Sequence, residues 1–342
     1  MATMQDIADR LGVSKGTVSK ALSGATDVSE TLQKKVLDTA VEVGYTKLRR
    51  PGTNPQKLCI LISDIEYEEP HQFGYDIVLG FRQMAEPKGY DVEIVQTTDR
   101  LQRSISYDAF MLQNNYLGAF ILGFNLNSPW LQDLRSSHTP AILYDNYIPA
   151  NDSTASIGVD SNEGMELAVS HLKQFGHKSI GYLSSALGSY VMQQRHRAFF
   201  HALRQNGLNA DYTRAKNAYL ITECVERHLP KLLDMGVTAV MCSHDQLANA
   251  AMIQCQQLGY RVPGDISIVG FDDLPFSAYA APPLTTIRQD RIHLGKSGFY
   301  AMESLINGLP LGTILLHARL IVRKSTGEAK RDENQPAVNS AS

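Results

Sequence analysis

The stretch GVSKGTVSKALSG, residues 12–24, places a glycine near the start of a short lysine-bearing helix in a chain of formal net charge -3. Glycine inside a helix costs about 0.8–1.0 kcal/mol relative to alanine, so a helix that only buries itself has reason to avoid Gly16. The neighbouring residues define the helix. Ser14 suits an N-cap, Val18, Ala21 and Leu22 fall on one side, and Lys15, Gly16, Thr17 and Lys20 are left to face outward. Upstream, Thr3 with Asp6 three residues later caps a first helix carrying Ile7, Ala8 and Leu11, which Gly12 ends. Downstream, Ser29 and Glu30 open a third helix whose Leu32, Val36, Leu37, Ala40 and Val41 bury against the other two before Gly44. Two tightly joined helices backed by a third form a helix-turn-helix unit that presents its second helix as a probe.

Charge divides the chain at the same place. Residues 1–57 hold nine Lys or Arg against six Asp or Glu, whereas residues 58–342 hold 23 against 29. A small basic module joined to an acidic body suits a protein whose nucleic-acid contacts are confined to one end. The four cysteines, Cys59, Cys224, Cys242 and Cys255, lie mostly in apolar stretches without CxxC spacing. They read as small buried hydrophobes in a reducing compartment, and no metal site is expected. There is no signal peptide and no apolar run long enough to span a membrane, so the expected location is the cytoplasm. From Ser325 the segment STGEAKRDENQPAVNSAS lacks aromatic residues and is expected to be a disordered tail, 325–342.

From residue 58 short apolar runs alternate with amphipathic helices. LCILIS (58–63), DVEIVQ (91–96), GAFILG (118–123), PAILYD (140–145), KSIGYLS (178–184), VTAVMCS (237–243) and DISIVGF (265–271) read as strands. Apolar strands separated by helices predict parallel sheets in an α/β architecture. The rhythm restarts at ASIGVDSNEGMELAVSHLKQFGHKSIGYLS, which predicts two similar subdomains facing each other across a cleft; one larger sheet without a cleft is the alternative. Short polar side chains follow the strand ends: Asn125, Asp145, His244 and Asp272. Such groups sort the hydroxyls of a small molecule, and Phe73, Tyr75, Trp130 and Tyr147 can cover an apolar ring face, which together favour a sugar or polyol. Asp160 and Asp245 read as helix caps. No GxGxxG follows a strand, and neither GxSxG nor HExxH occurs, so no enzyme and no cofactor are expected.

MATMQDIADRLGVSKGTVSKALSGATDVSETLQKKVLDTAVEVGY resembles the DNA-binding headpiece of the bacterial LacI/GalR family of transcriptional regulators. VDSNEGMELAVSHLKQFGHKSIGYLS and VMCSHDQLANAAMIQCQQLGYRVPGDISIVGFDDLPFSAYAAPPLTTI resemble that family's effector-binding, periplasmic-binding-protein-like body, and the likeness spans about residues 1–324. The resemblance implies that the second helix enters the major groove, with Lys15, Gly16 and Lys20 at specificity positions, Thr17, Val18 and Ser19 as the common TVS core, and Ser14 beside them. It also implies effector contacts. Arg195 matches the arginine of RxxGF although Ala198 replaces its glycine, His244 stands for the usual asparagine, Asp272 opens GFDD, and Phe73 matches an aromatic position after the first strand. The connection departs from the family. YTKLRRPGTNPQK has no leucine at the wedge position and carries Pro51, Gly52 and Pro55, so Lys47, Arg49 and Arg50 are expected to reach phosphate or the minor groove as an arm.

These readings predict a headpiece (1–46), an atypical linker (47–57), a two-subdomain body (58–324) and the tail. The function expected is that of a sequence-specific, homodimeric repressor of operator DNA, controlled by a small molecule, in which Arg195 and Asp272 approach the effector from opposite subdomains. An intracellular sugar sensor with weak or no specific DNA binding is the alternative.

Overall fold

The computed structural model describes residues 2–45 and 56–330. Three helices come first: α1 (Met4–Leu11), α2 (Lys15–Leu22) and α3 (Glu30–Glu42). Side-chain chemistry sets their ends. Thr3 Oγ1 accepts from the Asp6 amide while Asp6 accepts from the Thr3 amide, and Gly12 takes the left-handed conformation (φ 66°) that closes α1. Ser14 Oγ accepts from the Thr17 amide at 3.0 Å, and Ser29 Oγ from the Leu32 amide at 3.4 Å. Each such bond satisfies an orphan amide at a helix start and contributes about 1 kcal/mol. Ile7, Ala8, Val18, Ala21, Leu22, Val36, Leu37 and Ala40 bury together between the three helices.

The strands, in chain order, are β1 (Gln56–Ile62), β2 (Tyr90–Gln96), β3 (Tyr116–Leu122), β4 (Ala141–Tyr144), β5 (Thr154–Val159), β6 (Ile180–Ser185), β7 (Ala215–Ala218), β8 (Ala239–Cys242), β9 (Ser267–Asp272), β10 (Thr285–Arg288), β11 (Thr313–Leu316) and β12 (Arg319–Ile321). They form two six-stranded sheets, β11-β5-β4-β3-β1-β2 and β12-β10-β9-β8-β6-β7. β1 to β5 pair parallel, β6 to β10 repeat the arrangement, and β12 joins β10 antiparallel. Parallel pairing needs crossovers, and the amphipathic helices between the apolar runs supply them. In each sheet the order reverses at one strand, since β1 lies between β2 and β3 and β6 lies between β7 and β8.

The chain divides into two units, Met1–Gly158 with Asp290–Leu316, and Val159–Gln289 with His317–Ser342. β5 pairs with β4 in the first sheet. The strand in ASIGV therefore ends the first unit instead of opening the second, which begins with the helix Ser161–Gln174. The helix Arg291–Ile306 returns to the first unit and crosses the helix Phe73–Ala85 with little space between backbones. A Cβ on Gly80 would lie 2.2 Å from Ile292 O, and one on Gly295 would lie 2.0 Å from Ile77 O. Only glycine permits that approach.

Residues 325–330 are not the solvated tail expected. Ser325 is buried, donates to Ile268 O at 2.6 Å and accepts from the Thr285 amide, while Thr326 Oγ1 meets His171 Nε2 at 2.9 Å. Hydroxyls and backbone dock this segment, which is why apolar content gave no sign of it. β1 starts at Gln56, two residues ahead of the expected strand. The remainder of the linker, with Lys47, Arg49 and Arg50, and the end of the tail from residue 331 lie outside the described residues. All four cysteines are free and buried, and burial pushes the Cys59 and Cys242 thiols well up, so they stay protonated. Among the described residues no helix is long and apolar enough to cross a membrane.

Candidate functional site

On α2 the buried residues are Val18, Ala21 and Leu22, while Lys15, Gly16, Ser19 and Lys20 are exposed. A Cβ on Gly16 would meet nothing nearer than Ser14 Oγ at 3.6 Å, an ordinary contact, and its φ is not positive. Neither packing nor backbone geometry demands a glycine there. Ser14 Oγ and Thr17 Oγ1 hydrogen-bond each other at 2.9 Å across the start of the helix. Lys20 Nζ pairs with Asp27 Oδ2 at 2.5 Å, both side chains more than half exposed.

In the first unit, Phe73 starts its helix with its ring 6.0 Å from that of Tyr144 and with the Arg291 guanidinium 5.8 Å from its centre. Arg291 in turn pairs with Asp76 at 3.1 Å. Asp145 follows β4 with φ 51°, and its Oδ1 lies 2.5 Å from where a Cβ on Gly158 would be. Asn125, past β3, caps its own turn, with Oδ1 accepting from the Asn127 amide at 2.8 Å. Trp130 is not available to a ligand. It is fully buried against Phe110 and Tyr107, and its Nε1 donates to Ile105 O.

In the second unit, polar groups collect at the carboxyl ends of β6, β8 and β9. Arg195, on the helix Tyr190–Gln205, is 3% exposed, donates from Nη1 to Ser243 O at 2.6 Å and lies 3.6 Å from Asp272 Oδ1. Arg195 and Asp272 therefore belong to one unit and face each other, contrary to the expectation that they approach from opposite subdomains. Asp272 also accepts from Gln289 Nε2 at 2.6 Å and has φ 124°, a conformation that favours glycine. Such a residue stores on the order of 1–3 kcal/mol of strain and is held by its surroundings.

The cap of the next helix falls to a different residue than expected. His244 is the N-cap, its Nδ1 accepting from the Leu247 amide at 3.2 Å. Asp245 is wholly buried and instead binds three donors, the Leu274 amide (2.8 Å), Ser277 Oγ (2.6 Å) and Thr286 Oγ1 (2.5 Å). It ties β10 and the loop after β9 to the end of β8. Burial, followed by the charge of Asp272, raises its pKa. Asp160 does cap its helix, accepting from the Asn162 and Glu163 amides. Sequence reasoning passed over Ser185, which ends β6 and meets His244 Nε2 at 2.8 Å; the same search past strand ends that found Asn125 and Asp272 reaches it one residue beyond KSIGYLS.

The model for bacterial regulatory proteins of the lacI family matches residues 3–47, and that for a periplasmic binding protein-like domain matches residues 169–326. The HTH-type transcriptional repressor PurR of Aliivibrio salmonicida is 28% identical over 333 residues, 95% of this chain and 99% of that repressor. The chain belongs to the LacI/GalR family of bacterial transcriptional regulators. Another LacI/GalR relative, the repressor CytR of Escherichia coli K12, is 28% identical over 335 residues, 95% of this chain and 96% of its own. The lac repressor dimer bound to operator and the anti-inducer ONPF superposes with a TM-score of 0.65 at 25% identity, covering 95% of this chain and 99% of that one. As a LacI/GalR protein it is a DNA-binding transcriptional repressor under small-molecule control. LacI/GalR regulators are not enzymes.

Proposed function

We propose that the protein is a cytoplasmic, homodimeric repressor that binds a pseudopalindromic operator through residues 1–46 and is governed by a sugar bound in the body, residues 58–324. One headpiece of this size reaches only a short site, so paired headpieces are needed for two half-sites. Ser14, Lys15, Gly16, Thr17, Ser19 and Lys20 line the face offered to the major groove, and Lys47, Arg49 and Arg50 supply contacts to phosphate or the minor groove. Effector contacts are assigned to Arg195 and Asp272, with His244 beside them at the strand ends, and to Phe73, Asn125 and Asp145.

The observation that carries the reading is the buried Arg195–Asp272 pair, 3.6 Å apart at the end of a parallel strand. Two charges held out of water cost more than a hydrophobic pair of the same size, and carboxyl strand ends are where α/β sheets bind ligands. The aromatic ring of Phe73 and the short polar groups suit the apolar face and hydroxyls of a sugar. The experiment is calorimetry of the full chain against sugars and sugar phosphates, followed by operator titration with the compound that binds. Linkage requires that an effector which changes operator affinity have its own affinity changed by operator in the same ratio. A sugar that binds tightly and leaves operator affinity constant over its whole titration refutes the sensor mechanism.

A further inference from the structure

His244 has spent both ring nitrogens inside the protein. A backbone amide can only donate, so the Leu247 N–H at 3.2 Å finds a lone pair on Nδ1. Burial, then the nearby charge of Arg195, pushes the His244 pKa down to about 4, so the ring is neutral at pH 7. A neutral ring with a bare Nδ1 carries its proton on Nε2. That proton points at Ser185 Oγ, 2.8 Å away.

The consequence falls on the serine. Its oxygen is taken as the acceptor from His244, while its own hydroxyl proton meets no acceptor among the described residues. The backbone around it is fixed: the Ser185 amide donates to Ser243 Oγ at 3.2 Å, and Ser184 Oγ donates to Ser185 O at 2.9 Å. Ser185 ends β6 and His244 follows β8, and these two strands are neighbours at the place where the sheet order reverses. In open α/β sheets that reversal leaves the crevice in which ligands bind. Arg195, bonded to Ser243 O, borders the same strand end, and its buried Nε has no hydrogen-bond partner.

We propose that Ser185 donates its hydroxyl proton to an acceptor oxygen of the effector, and that His244 is a positioning residue that fixes the direction of this bond without touching the effector. The proposal rests on the reading of the body as a sugar-binding unit. It narrows the ligand to one with a ring, ether, hydroxyl or carbonyl oxygen at that point, and it excludes an ammonium or a bare methylene there, since a site built to donate rejects a group that cannot accept.

Two measurements on the full chain test it. In the absence of any ligand, nitrogen-15 NMR of the imidazoles is expected to show His244 with a bare Nδ1 and a protonated Nε2 at pH 7; the opposite tautomer, or a charged ring, overturns the proposal without any variant having to fold. Second, calorimetry against a library of monosaccharides, disaccharides and nucleosides provides a binding probe, and Ser185→Ala is expected to weaken the wild-type hit about tenfold. His244→Asn should weaken it in the wild-type background and have no further effect once Ser185 is alanine, because the histidine acts through the serine. An equal His244→Asn loss in both backgrounds makes His244 a direct contact and overturns the proposal, as does a hit that Ser185→Ala leaves unchanged while the sugar reading stands. A library in which nothing binds the wild type removes the sugar reading itself, and the proposal with it.

Discussion

The guanidinium carbon of Arg195 lies 3.8 Å from the centre of the Phe271 ring. A planar cation is thus held by an aromatic face, by Ser243 O and by the Asp272 carboxylate, in a residue only 3% exposed. Lysine keeps the charge but has neither the plane nor the fork. Arg195→Lys is expected to lower stability by about 1–2 kcal/mol and to weaken sugar binding at least tenfold. Arg195→Ala removes the cation beside the buried Asp272 and is expected to cost about 3–5 kcal/mol. Urea unfolding followed by circular dichroism separates the two, and an Arg195→Lys protein as stable as wild type would show that the plane and fork contribute nothing.

Gly16 gives a prediction with two opposite signs. Nothing in the headpiece crowds a methyl group there, so Gly16→Ala is expected to stabilise the headpiece by about 0.5–1 kcal/mol, read from amide exchange of α2. The same methyl enters the space between helix and DNA, and operator affinity is expected to fall. A variant that is more stable and binds operator as well as wild type would show that the glycine is not there for DNA.

Lys20 leaves Asp27 when it reaches a base edge. That exposed pair is worth no more than about 1 kcal/mol, less than the roughly 1–3 kcal/mol of a good base contact. Lys20→Ala is therefore expected to change the preferred operator sequence, whereas Arg49→Ala and Arg50→Ala should weaken all sequences alike and reduce the salt slope by about one each. Selection from a randomised duplex pool, with titrations at several salt concentrations, decides between these outcomes.

His244 makes stability depend on pH. Its folded pKa of about 4 lies below the ordinary 6.5, so between those values the unfolded chain holds a proton that the folded chain refuses. Stability from this residue is complete above pH 6.5 and is lost as pH falls through 4, by about 3 kcal/mol in all. The stability gap between wild type and His244→Asn should shrink over that interval. A gap that stays constant from pH 7 to 4 would mean that His244 does not titrate abnormally.

Asp245→Ala leaves the Leu274 amide, Ser277 Oγ and Thr286 Oγ1 without their acceptor in the interior. With about 1–3 kcal/mol for each stranded donor, a loss of several kcal/mol is expected, which thermal or urea unfolding measures directly. A loss below about 1 kcal/mol would mean that water enters and replaces the carboxylate.

The elements that announce themselves in the sequence are those whose signal is local. Ser14, Ser29 and Asp160 cap helices because the hydroxyl or carboxylate bonds an amide two or three residues on, and LCILIS or GAFILG is a strand because both faces are buried. β7 (AKNA) and β12 (RLI) escape because edge strands need little apolar content. The misplacement of β5 has a similar cause: no pattern within ASIGV says which sheet it joins, since that is settled by pairing with β4. At the site, position after a strand identified Asp272 and His244 but not what they bond. That Asp245 serves Ser277 and Thr286, and that His244 takes over the cap, depends on residues up to 41 positions away.

The return of helix Arg291–Ile306 to the first unit also sets a timetable for synthesis. Phe81 stacks on Phe120 at 5.1 Å, and Phe299 closes over Phe81 edge-on at 5.7 Å. The first two rings leave the ribosome some 180 residues or more before the third, so the growing chain carries an uncovered aromatic patch while the whole of segment 159–289 is being made. The headpiece draws most of its core from residues 7–40, joined by Ala109 and Leu112, so the chain it needs is made early. A chain halted before residue 290 therefore lacks the ring that covers the Phe81–Phe120 stack in the finished fold.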